Sequence, residues 1–239
     1  MSNDIVRQIV EWLKSQLQES HTEGFVLGLS GGLDSAVCAA LLRRATDNCQ
    51  GLILPIESDV KDIDDAATAA TAANIKTQYI DLTAIYNNLV KLLPHGERLA
   101  FGNLKARLRM VVLYYYANLN NYLVCGTGNK TEISLGYFTK YGDGACDILP
   151  IGDLYKTEVR ELARVLEIPE AIIKKVPSAG LWGGQTDEGE IGFSYCEIDK
   201  TLQALKEGRI EGKCAEQLGA MIARSEHKRK PPKICVLKK

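Results

Sequence analysis

A glycine-rich segment at residues 28–35, with the sequence GLSGGLDS, restricts this chain more than any other feature. An apolar run of strand length, residues 24–30, leads into it, and residues 36–45 after it have the composition of a buried helix. Glycines at such a turn let the backbone approach an anion closely, and the following helix directs free N–H groups towards that anion. This segment, called the octet below, therefore predicts an anion site between a strand and a helix.

The polar side chains of the octet indicate which anion is expected. Ser30 and Ser35 add hydroxyl donors, and Asp34 can bind the Mg²⁺ that accompanies a phosphate. The octet lacks the lysine of a Walker A loop, which disfavours a γ-phosphate switch of that kind. The alternative is a purely structural turn in which a serine or the aspartate is the helix N-cap.

Strand-like and helical segments alternate through the first half of the chain. Further strands are expected at residues 51–56, 76–82 and 122–127. Helices are expected at residues 4–18, 36–45, 59–74, 83–93, 103–120, 156–166, 170–175, 195–206 and 214–225. This order predicts an α/β fold, a Rossmann-like doubly wound parallel sheet of about five strands with helices on both faces. The 239 residues contain no Pro/Ser linker or internal repeat, which favours one domain spanning residues 1–239.

The charge balance and the cysteines argue against several classes of function. The 29 lysines and arginines and the 30 aspartates and glutamates give a net charge of −1, which disfavours a nucleic-acid partner. No apolar run approaches the roughly 20 residues that span a bilayer, so no membrane partner is expected. The 7 cysteines form no CxxC pair, and the 3 histidines do not cluster with them. We therefore expect no zinc site, and a cytoplasmic protein with reduced thiols.

The octet, which follows a strand, resembles the pyrophosphate loop of the ATP-pyrophosphatase group of α/β enzymes, which cleave ATP to AMP and pyrophosphate. Segments of the second half resemble, in the same order, the motifs of one family in that group, the NAD synthetases. These segments are residues 103–110 (NLKARLRM), 126–132 (GTGNKTE), 136–144 (GYFTKYGDG), 147–151 (DILPI), 153–157 (DLYKT), 177–179 (PSA), 185–188 (QTDE) and 227–229 (HKR). On this pattern, the chain is identified as a member of the NAD synthetase family.

The resemblance implies a reaction. An NAD synthetase amidates deamido-NAD at the expense of ATP and yields NAD, AMP and pyrophosphate through an NAD-adenylate intermediate. It is a ligase that forms a C–N bond in the last step of NAD biosynthesis. Glutamine-dependent relatives carry an additional glutaminase domain, for which 239 residues leave no room, so free ammonia is the expected nitrogen donor. The alternatives are another ATP-pyrophosphatase, such as a tRNA-modifying enzyme, and a catalytically silent nucleotide-binding relative.

The resemblance also implies which residues contact ATP and Mg²⁺. The ATP contacts fall on Gly28, Leu29, Ser30, Gly31, Gly32, Leu33, Asp34, Ser35, Thr127, Lys156 and Ser178. Asp34 and Glu132 are implied to bind Mg²⁺, and Asp34, Lys156 and Asp147 to be the catalytic residues. Three of these positions have structural alternatives: Lys156 as a solvated lysine at a helix start, Glu132 as a first-turn helix acid, and Ser178 as a helix N-cap.

Contacts to deamido-NAD are implied at Arg107, Lys140, Asp147, His227 and Lys228. Basic residues suit a substrate that carries a pyrophosphate and a carboxylate. Asp147 either holds a hydroxyl group or helps to place ammonia, and the basic run that begins at His227 has the alternative of a solvated tail. The sequence GGQTDEGE at residues 183–190 indicates a loop that closes over the nucleotide, although Asp187 with Glu190 also has the pattern of a helix capping box.

The amphipathic helix expected at residues 103–120 bears on the oligomeric state. Its apolar face continues into Tyr114, Tyr115 and Tyr116, more aromatic surface than one sheet face needs. NAD synthetases are homodimers whose substrate site is shared across a helical interface. The resemblance therefore implies that this helix forms the interface and that Arg107 serves the partner's site. The alternative is an interior helix of a monomer.

Overall fold

The computed structural model describes residues 3–209 and 212–237 and contains one parallel sheet. Its four strands are β1 (Gly24–Gly28), β2 (Cys49–Ile53), β3 (Lys76–Tyr79) and β4 (Tyr122–Cys125). Their spatial order is β3–β2–β1–β4, and Phe25 of β1 pairs with Cys49 on one side and Leu123 on the other. Each strand overlaps a segment predicted to be a strand, and the predicted α/β class is confirmed.

The helices of the described residues account for most of the remaining chain. They are α1 (Asn3–Ser20), α2 (Leu33–Ala45), α3 (Val60–Ala73), α4 (Thr83–Val90), α5 (Arg98–Asn120), α6 (Lys130–Leu135), α7 (Lys156–Val165), α8 (Glu170–Ile173), α9 (Asp187–Ile191), α10 (Tyr195–Lys206), α11 (Gly212–Arg224) and a 3₁₀ turn at Glu226–Lys228. The predicted helices are present with shifted ends, and α6 and α9 are additional. None of the described helices combines the length and apolar character needed to cross a bilayer.

The expectation of about five strands is corrected to four in the part of the chain that the structure describes. Ile148 forms an isolated parallel bridge with Cys125 of β4, where a fifth strand would lie, and Gly126 N–H donates a 2.9 Å hydrogen bond to its carbonyl. The chain then enters successive turns, closed by hydrogen bonds from Gly152 to Leu149 and from Leu154 to Ile151. Because these turns bend the backbone away from β4, pairing stops after one bridge.

Apolar clusters cover both faces of the sheet, as expected for a doubly wound fold. Phe25 and Leu27 point to one face, where α1, α2, α3, α7 and α8 contribute to the cluster. Val26 points to the opposite face, which α4 and α5 cover, because successive side chains of a strand alternate. A third cluster, which includes Leu135 and Tyr195, joins α6 to α10 and α11 beyond the sheet.

The strand order creates a crevice at one edge of the sheet. The chain runs from β1 outward through β2 to β3, then returns to place β4 on the other side of β1. Loops that leave β1 and β4 therefore diverge at the carboxyl ends of these two strands, and ligands of doubly wound sheets bind at such switch points. The octet follows β1 at this point, and residues 126–129 follow β4.

Candidate active site

The octet covers the end of β1, a short turn and the first residues of α2. Gly32 is the N-cap of α2 and has no side chain with which to cap it, so the alternative of a serine or aspartate N-cap is wrong. The hydroxyls instead brace the turn: Ser30 Oγ accepts a 3.2 Å hydrogen bond from Gly32 N, and Ser35 Oγ donates a 3.0 Å bond to Gly32 O. The first N–H groups of α2 are thus free of side-chain caps, as an anion site requires.

Gly31 is a position that only glycine satisfies. Its φ of +74° lies in the left-handed region, and a Cβ there would lie 2.4 Å from the backbone oxygen of Asp62 and 2.9 Å from Ala66 N. The octet therefore rests directly on the first turns of α3, with no room for a side chain between them.

Three charged residues that are distant in sequence meet beside the octet. The Lys156 ammonium contacts Asp34 Oδ2 in an ion pair and lies 3.4 Å from Glu132 Oε1. Lys156 is the first residue of α7 but is only 3% exposed, so the alternative of a solvated lysine is wrong. Asp34 belongs to the first turn of α2 and Glu132 to the first turn of α6, which places both carboxylates at the carboxyl ends of β1 and β4.

Asn129 joins these elements and was not predicted as a site residue. Its side chain accepts a 3.0 Å hydrogen bond from Glu132 N, and Glu132 Oε2 accepts from Asn129 N, which completes a capping box for α6. The Asn129 amide also donates a 3.1 Å hydrogen bond to Asp34 Oδ1. Glu132 is therefore both the first-turn acid of its structural alternative and a member of the charged cluster. The spacing N-x-x-E after a strand was the available signal for Asn129.

The charges of this cluster perturb one another strongly. Burial raises the pKa of Glu132 to about 8, although Lys156 favours its ionised form. Burial lowers the pKa of Lys156, but Asp34 and Glu132 raise it by more, so the lysine stays protonated. Such perturbed groups in a crevice are typical of functional sites.

Asp187 is a further buried carboxylate of this region. It is 4% exposed, and its Oδ2 accepts a 2.8 Å hydrogen bond from Tyr195 OH, while Oδ1 has no partner among the described residues. Burial raises the pKa of Asp187, and Lys156 opposes this. The capping box of Asp187 with Glu190 is wrong, because Thr186 is the N-cap of α9 and its side chain accepts from Gly189 N.

Asp199 lies in α10 and hydrogen-bonds residues that flank Glu132 and Lys156. It was not predicted as a site residue, because no local sequence motif distinguishes it from other polar residues of that helix. Its Oδ1 accepts a 2.5 Å hydrogen bond from Thr131 Oγ1, and its Oδ2 accepts a 2.9 Å bond from Thr157 N. Thr131 Oγ1 in turn accepts a 3.0 Å bond from Lys156 N. This buried network holds the starts of α6 and α7 together, and with them Glu132 and Lys156.

Thr127 and Ser178 lie outside the charged cluster. Thr127 follows β4 by two residues, at the same sheet edge as the octet. Ser178 is exposed, and its Oγ accepts a 3.1 Å hydrogen bond from Gly180 N. No helix begins there, so the N-cap alternative for Ser178 is wrong. The described hydrogen bonds do not link Ser178 to the octet, but Asp187 N donates to Pro177 O at 3.0 Å and ties the segment to α9.

Four of the five residues predicted to contact deamido-NAD come together. Arg107 donates to Lys140 O at 3.2 Å, and Lys140 Nζ donates to His227 O at 2.5 Å. Lys228 Nζ donates to the carbonyls of Gly136 and Phe138 at 2.8 and 2.7 Å. The start of the basic run is therefore packed on the loop after α6 rather than solvated as a tail.

The described hydrogen bonds of the Asp147 side chain do not connect it to those four residues. Its Oδ2 accepts a 2.7 Å hydrogen bond from Val124 N, and its Oδ1 accepts a 3.1 Å bond from Tyr114 OH. Asp147 is therefore hydrogen-bonded to the last part of β4, and it is exposed.

The donor set beside the octet suits Mg²⁺. The described residues contain no group of three or more His, Cys, Asp or Glu side chains arranged to enclose a metal ion. Mg²⁺ does not need such an enclosure, because it takes one or two carboxylates together with phosphate oxygens and water. Asp34 and Glu132 supply two carboxyl groups that converge on one ammonium, so oxygen ligands for a cation lie directly beside the octet.

The parallel sheet, the uncapped octet at its switch point and the charged cluster beside it define a nucleotide-binding α/β protein. Comparison with known proteins then assigns the family. The chain belongs to the NAD synthase family, whose model matches residues 5–232.

Relatives and solved structures cover nearly the whole chain. The NH(3)-dependent NAD(+) synthetase of Carboxydothermus hydrogenoformans is 47% identical over 236 residues, which span 96% of this chain and 96% of that protein. The structure of NMN synthetase from Francisella tularensis matches with a TM-score of 0.92 at 40% identity and covers 99% of this chain and 100% of that one. The NH3-dependent NAD synthetase from Campylobacter jejuni matches with a TM-score of 0.87 at 33% identity and covers 99% and 100%.

Proposed function

We propose that this chain is an ATP-dependent ligase that amidates deamido-NAD with ammonia and forms NAD, AMP and pyrophosphate, the last step of NAD biosynthesis. The observation that carries the proposal is the convergence of Asp34, Glu132 and Lys156 beside an uncapped glycine-rich turn at the switch point of the sheet. Relatives of matching length that are named NH(3)-dependent NAD(+) synthetase support both the reaction and the nitrogen donor.

The ATP phosphates bind at the octet in this proposal. Backbone N–H groups at the start of α2 and the hydroxyls of Ser30 and Ser35 face the β- and γ-phosphates, while Thr127 and Ser178 contact other parts of the nucleotide. Mg²⁺ is held by Asp34 and Glu132, and when bound it supplies positive charge to the phosphate oxygens. The raised pKa of Glu132 supports a cation partner, because burial disfavours its ionised form until such a partner is present.

The reaction proceeds in two steps without a covalent enzyme intermediate. The nicotinate carboxylate attacks the α-phosphorus of ATP, forming the acyl-adenylate, and pyrophosphate leaves. Negative charge on the departing pyrophosphate is stabilised by the octet N–H groups and by the Lys156 ammonium, which is kept protonated by its carboxylate neighbours. Ammonia then attacks the acyl carbon and displaces AMP. Positioning and charge neutralisation account for the work of the protein.

Cysteine nucleophiles have no part in this scheme. The thiol of Cys38 has its pKa raised by a hydrogen bond with Cys125 and by burial, and burial raises the pKa of Cys146 to about 12. A thiol with a raised pKa holds little of the thiolate form that attacks an acyl group. All seven cysteines are free thiols, which supports a cytoplasmic location.

In this proposal, deamido-NAD binds where Arg107, Lys140, His227 and Lys228 meet. Asp147 lies beside β4 of the parallel sheet. Arg107, Lys140 and Lys228 bring positive charge to the substrate's pyrophosphate and carboxylate. Asp147 accepts two hydrogen bonds within the protein, from Val124 N and Tyr114 OH, which supports a role in holding a substrate hydroxyl beside them rather than in moving freely.

The proposal also includes a homodimer whose interface is formed by α5. Val111, Tyr115 and Leu119 are 58%, 63% and 65% exposed and are spaced four residues apart, so they form one apolar stripe on the helix. Arg107 stands four residues before Val111 and extends the same stripe. An interface on this stripe would place Arg107 next to the partner, in keeping with a substrate site shared between subunits.

A second substrate is favoured by one specific comparison. The solved structure of the Francisella tularensis protein, which matches with a TM-score of 0.92, is that of an NMN synthetase. The same chemistry, with nicotinate mononucleotide as the acid, would yield NMN. Nicotinate mononucleotide lacks the adenylate half of deamido-NAD. The octet and the charged cluster would have the same roles with either substrate.

One assay tests both substrates. Purified protein is supplied with MgATP and ammonium together with either deamido-NAD or nicotinate mononucleotide, and NAD, NMN and AMP are measured by chromatography. We expect NAD and AMP in equal amounts from deamido-NAD, and little product when glutamine replaces ammonium. Faster formation of NMN would assign the second substrate. Absence of both amides at saturating ammonium would overturn the proposal.

A further inference from the structure

A lysine outside the predicted site contacts the backbone of the octet. Lys175 Nζ donates a 3.2 Å hydrogen bond to Gly31 O, and it pairs with Asp65 Oδ2 at 2.6 Å and Asp62 Oδ1 at 2.8 Å. Asp62 and Asp65 belong to α3, and Lys175 follows α8 by two residues. One ammonium thus connects the octet, α3 and the segment that leads to Ser178.

Both ends of this connection are held firmly. Ile172 and Ile173 are buried in the main core and anchor α8, from which Lys175 extends. On the other side, Gly31 lies so close to α3 that a Cβ would meet the backbone oxygen of Asp62 at 2.4 Å. The lysine is held as a cation, since burial lowers its pKa but its hydrogen bonds to Asp62 and Asp65 raise the pKa by more.

The contact determines the orientation of one peptide group. Gly31 C=O and Gly32 N–H belong to the same trans peptide, so they point in opposite directions. With the carbonyl directed to Lys175, the N–H is directed to the other side, where it donates to Ser30 Oγ at 3.2 Å. Both residues are glycines, which lowers the cost of turning this peptide over and presenting the carbonyl oxygen instead.

We propose that Lys175 is a positioning residue that holds the Gly31–Gly32 peptide with its N–H group, and the Ser30 hydroxyl that accepts from it, on the side of the β- and γ-phosphates of ATP. This inference rests on the proposed function, in which those phosphates bind at the octet. Asp62 and Asp65 retain the ammonium at the carbonyl and so act in the same direction. Without the clamp, the peptide samples the flipped state, in which an oxygen faces the anion and opposes binding.

The test compares ATP with AMP, which lacks the two phosphates that the octet would hold. Affinities of both nucleotides are measured by titration calorimetry, which does not depend on turnover. Lys175→Met should weaken ATP binding by about tenfold, the scale of one lost charge-assisted hydrogen bond, and leave AMP binding within about twofold. Lys174→Met is the matched control, because Lys174 is the neighbouring residue, is 79% exposed and pairs only with Glu170 on its own helix in the described contacts. It should change neither affinity.

Two further variants separate positioning from direct phosphate contact. Lys175→Arg keeps a cation at the carbonyl and should restore most of the ATP affinity. The double variant Asp62→Ala/Asp65→Ala removes both acids that retain the ammonium and should weaken ATP binding as Lys175→Met does. If Lys175 touched the phosphates itself, the double variant would free it and leave ATP binding unchanged or tighter, which would overturn the inference.

Other outcomes are equally decisive. ATP affinity unchanged in Lys175→Met, or equal losses of ATP and AMP affinity, would overturn the role of Lys175 alone. Wild-type protein that binds ATP but forms neither NAD nor NMN would overturn the proposed function and leave this inference standing. Thermal unfolding of each variant, with melting temperatures within a few degrees of the wild type, shows that the compared proteins are folded.

Discussion

The side-chain amide of Asn129 donates a 3.1 Å hydrogen bond to Asp34 and so joins the loop after β4 to the helix after β1. Asn129 is fully buried, and it is also the N-cap of α6, which carries Glu132. One residue therefore both starts the helix that supplies one carboxylate and orients the other carboxylate. The two loops at the switch point are linked through it rather than merely adjacent.

The two contributions of Asn129 can be separated by substitution. Asn129→Ser retains a hydroxyl that caps α6 but does not reach Asp34, whereas Asn129→Ala loses both contacts. We expect Asn129→Ala to lower the free energy of unfolding by about 1–2 kcal/mol and Asn129→Ser by clearly less. Turnover should fall by about tenfold or more in both variants, because both lose the orientation of Asp34. Urea denaturation and product formation measure the two effects, and wild-type turnover in Asn129→Ser would contradict this account.

Asp34 should matter for the reaction far more than for folding. Asp34→Asn removes the charge that pairs with Lys156 and is proposed to bind Mg²⁺, so we expect kcat to fall by at least about 100-fold. Asp4→Asn is the control, since Asp4 is an exposed residue of α1 that pairs with Arg7. It should leave kcat within about twofold. Comparable losses in the two variants would show that the effect is not specific to the site.

The raised pKa of Glu132 predicts a pH-dependent proton release on metal binding. Its pKa of about 8 exceeds the ordinary value of 4.5, so at pH 7 the folded, metal-free protein holds a proton that Mg²⁺ must displace. Calorimetric titration of Mg²⁺ with ATP in buffers of different ionisation enthalpy should show proton release at pH 7 and almost none near pH 9. Glu132→Gln should abolish the difference. Equal proton release at both pH values would exclude Glu132 as its source.

The same shift has a consequence for stability. The folded state binds the Glu132 proton more tightly than the unfolded state, so this residue's contribution is fully present below about pH 4.5. It decreases as the pH rises and is lost by about pH 8. Denaturation of the metal-free protein between pH 5 and pH 9 should show a smaller decline in Glu132→Gln than in the wild type.

Mixing two inactive variants tests whether Arg107 serves the partner's site. Arg107→Ala and Asp34→Asn each disable one component, and a mixed dimer retains one intact site only if the two components come from different subunits. Random exchange of equal amounts should then restore about one quarter of wild-type activity. Recovery measured after mild dissociation and reassociation gives the answer. No recovery, with mixed dimers shown by mass spectrometry, would place Arg107 in its own subunit's site.

The elements that sequence reasoning found are those whose signal lies within a short window. Strands β1, β2 and β4 lie in largely apolar runs bounded by polar or glycine residues, and α2, α3 and α5 have long apolar patterns, so neighbouring residues suffice to define them. Helices α6 and α9 have only six and five residues, too few for a periodic pattern, and their starts depend on capping contacts. The prediction of a fifth strand was wrong because turns after Ile148 end the pairing of that segment with β4.

For the candidate site, the sequence by itself determined the kinds of chemistry present and their order along the chain. The octet, the acidic and basic positions and the family they resemble are all readable in the printed residues. Only the tertiary structure decided which of them meet. Lys156 and Asp34 are 122 residues apart, and Lys175 and Gly31 are 144 apart. Local propensity acts between near neighbours in the chain, whereas these contacts exist because α7 and α8 pack on the same face of the sheet as α2 and bring both lysines to the turn that follows β1.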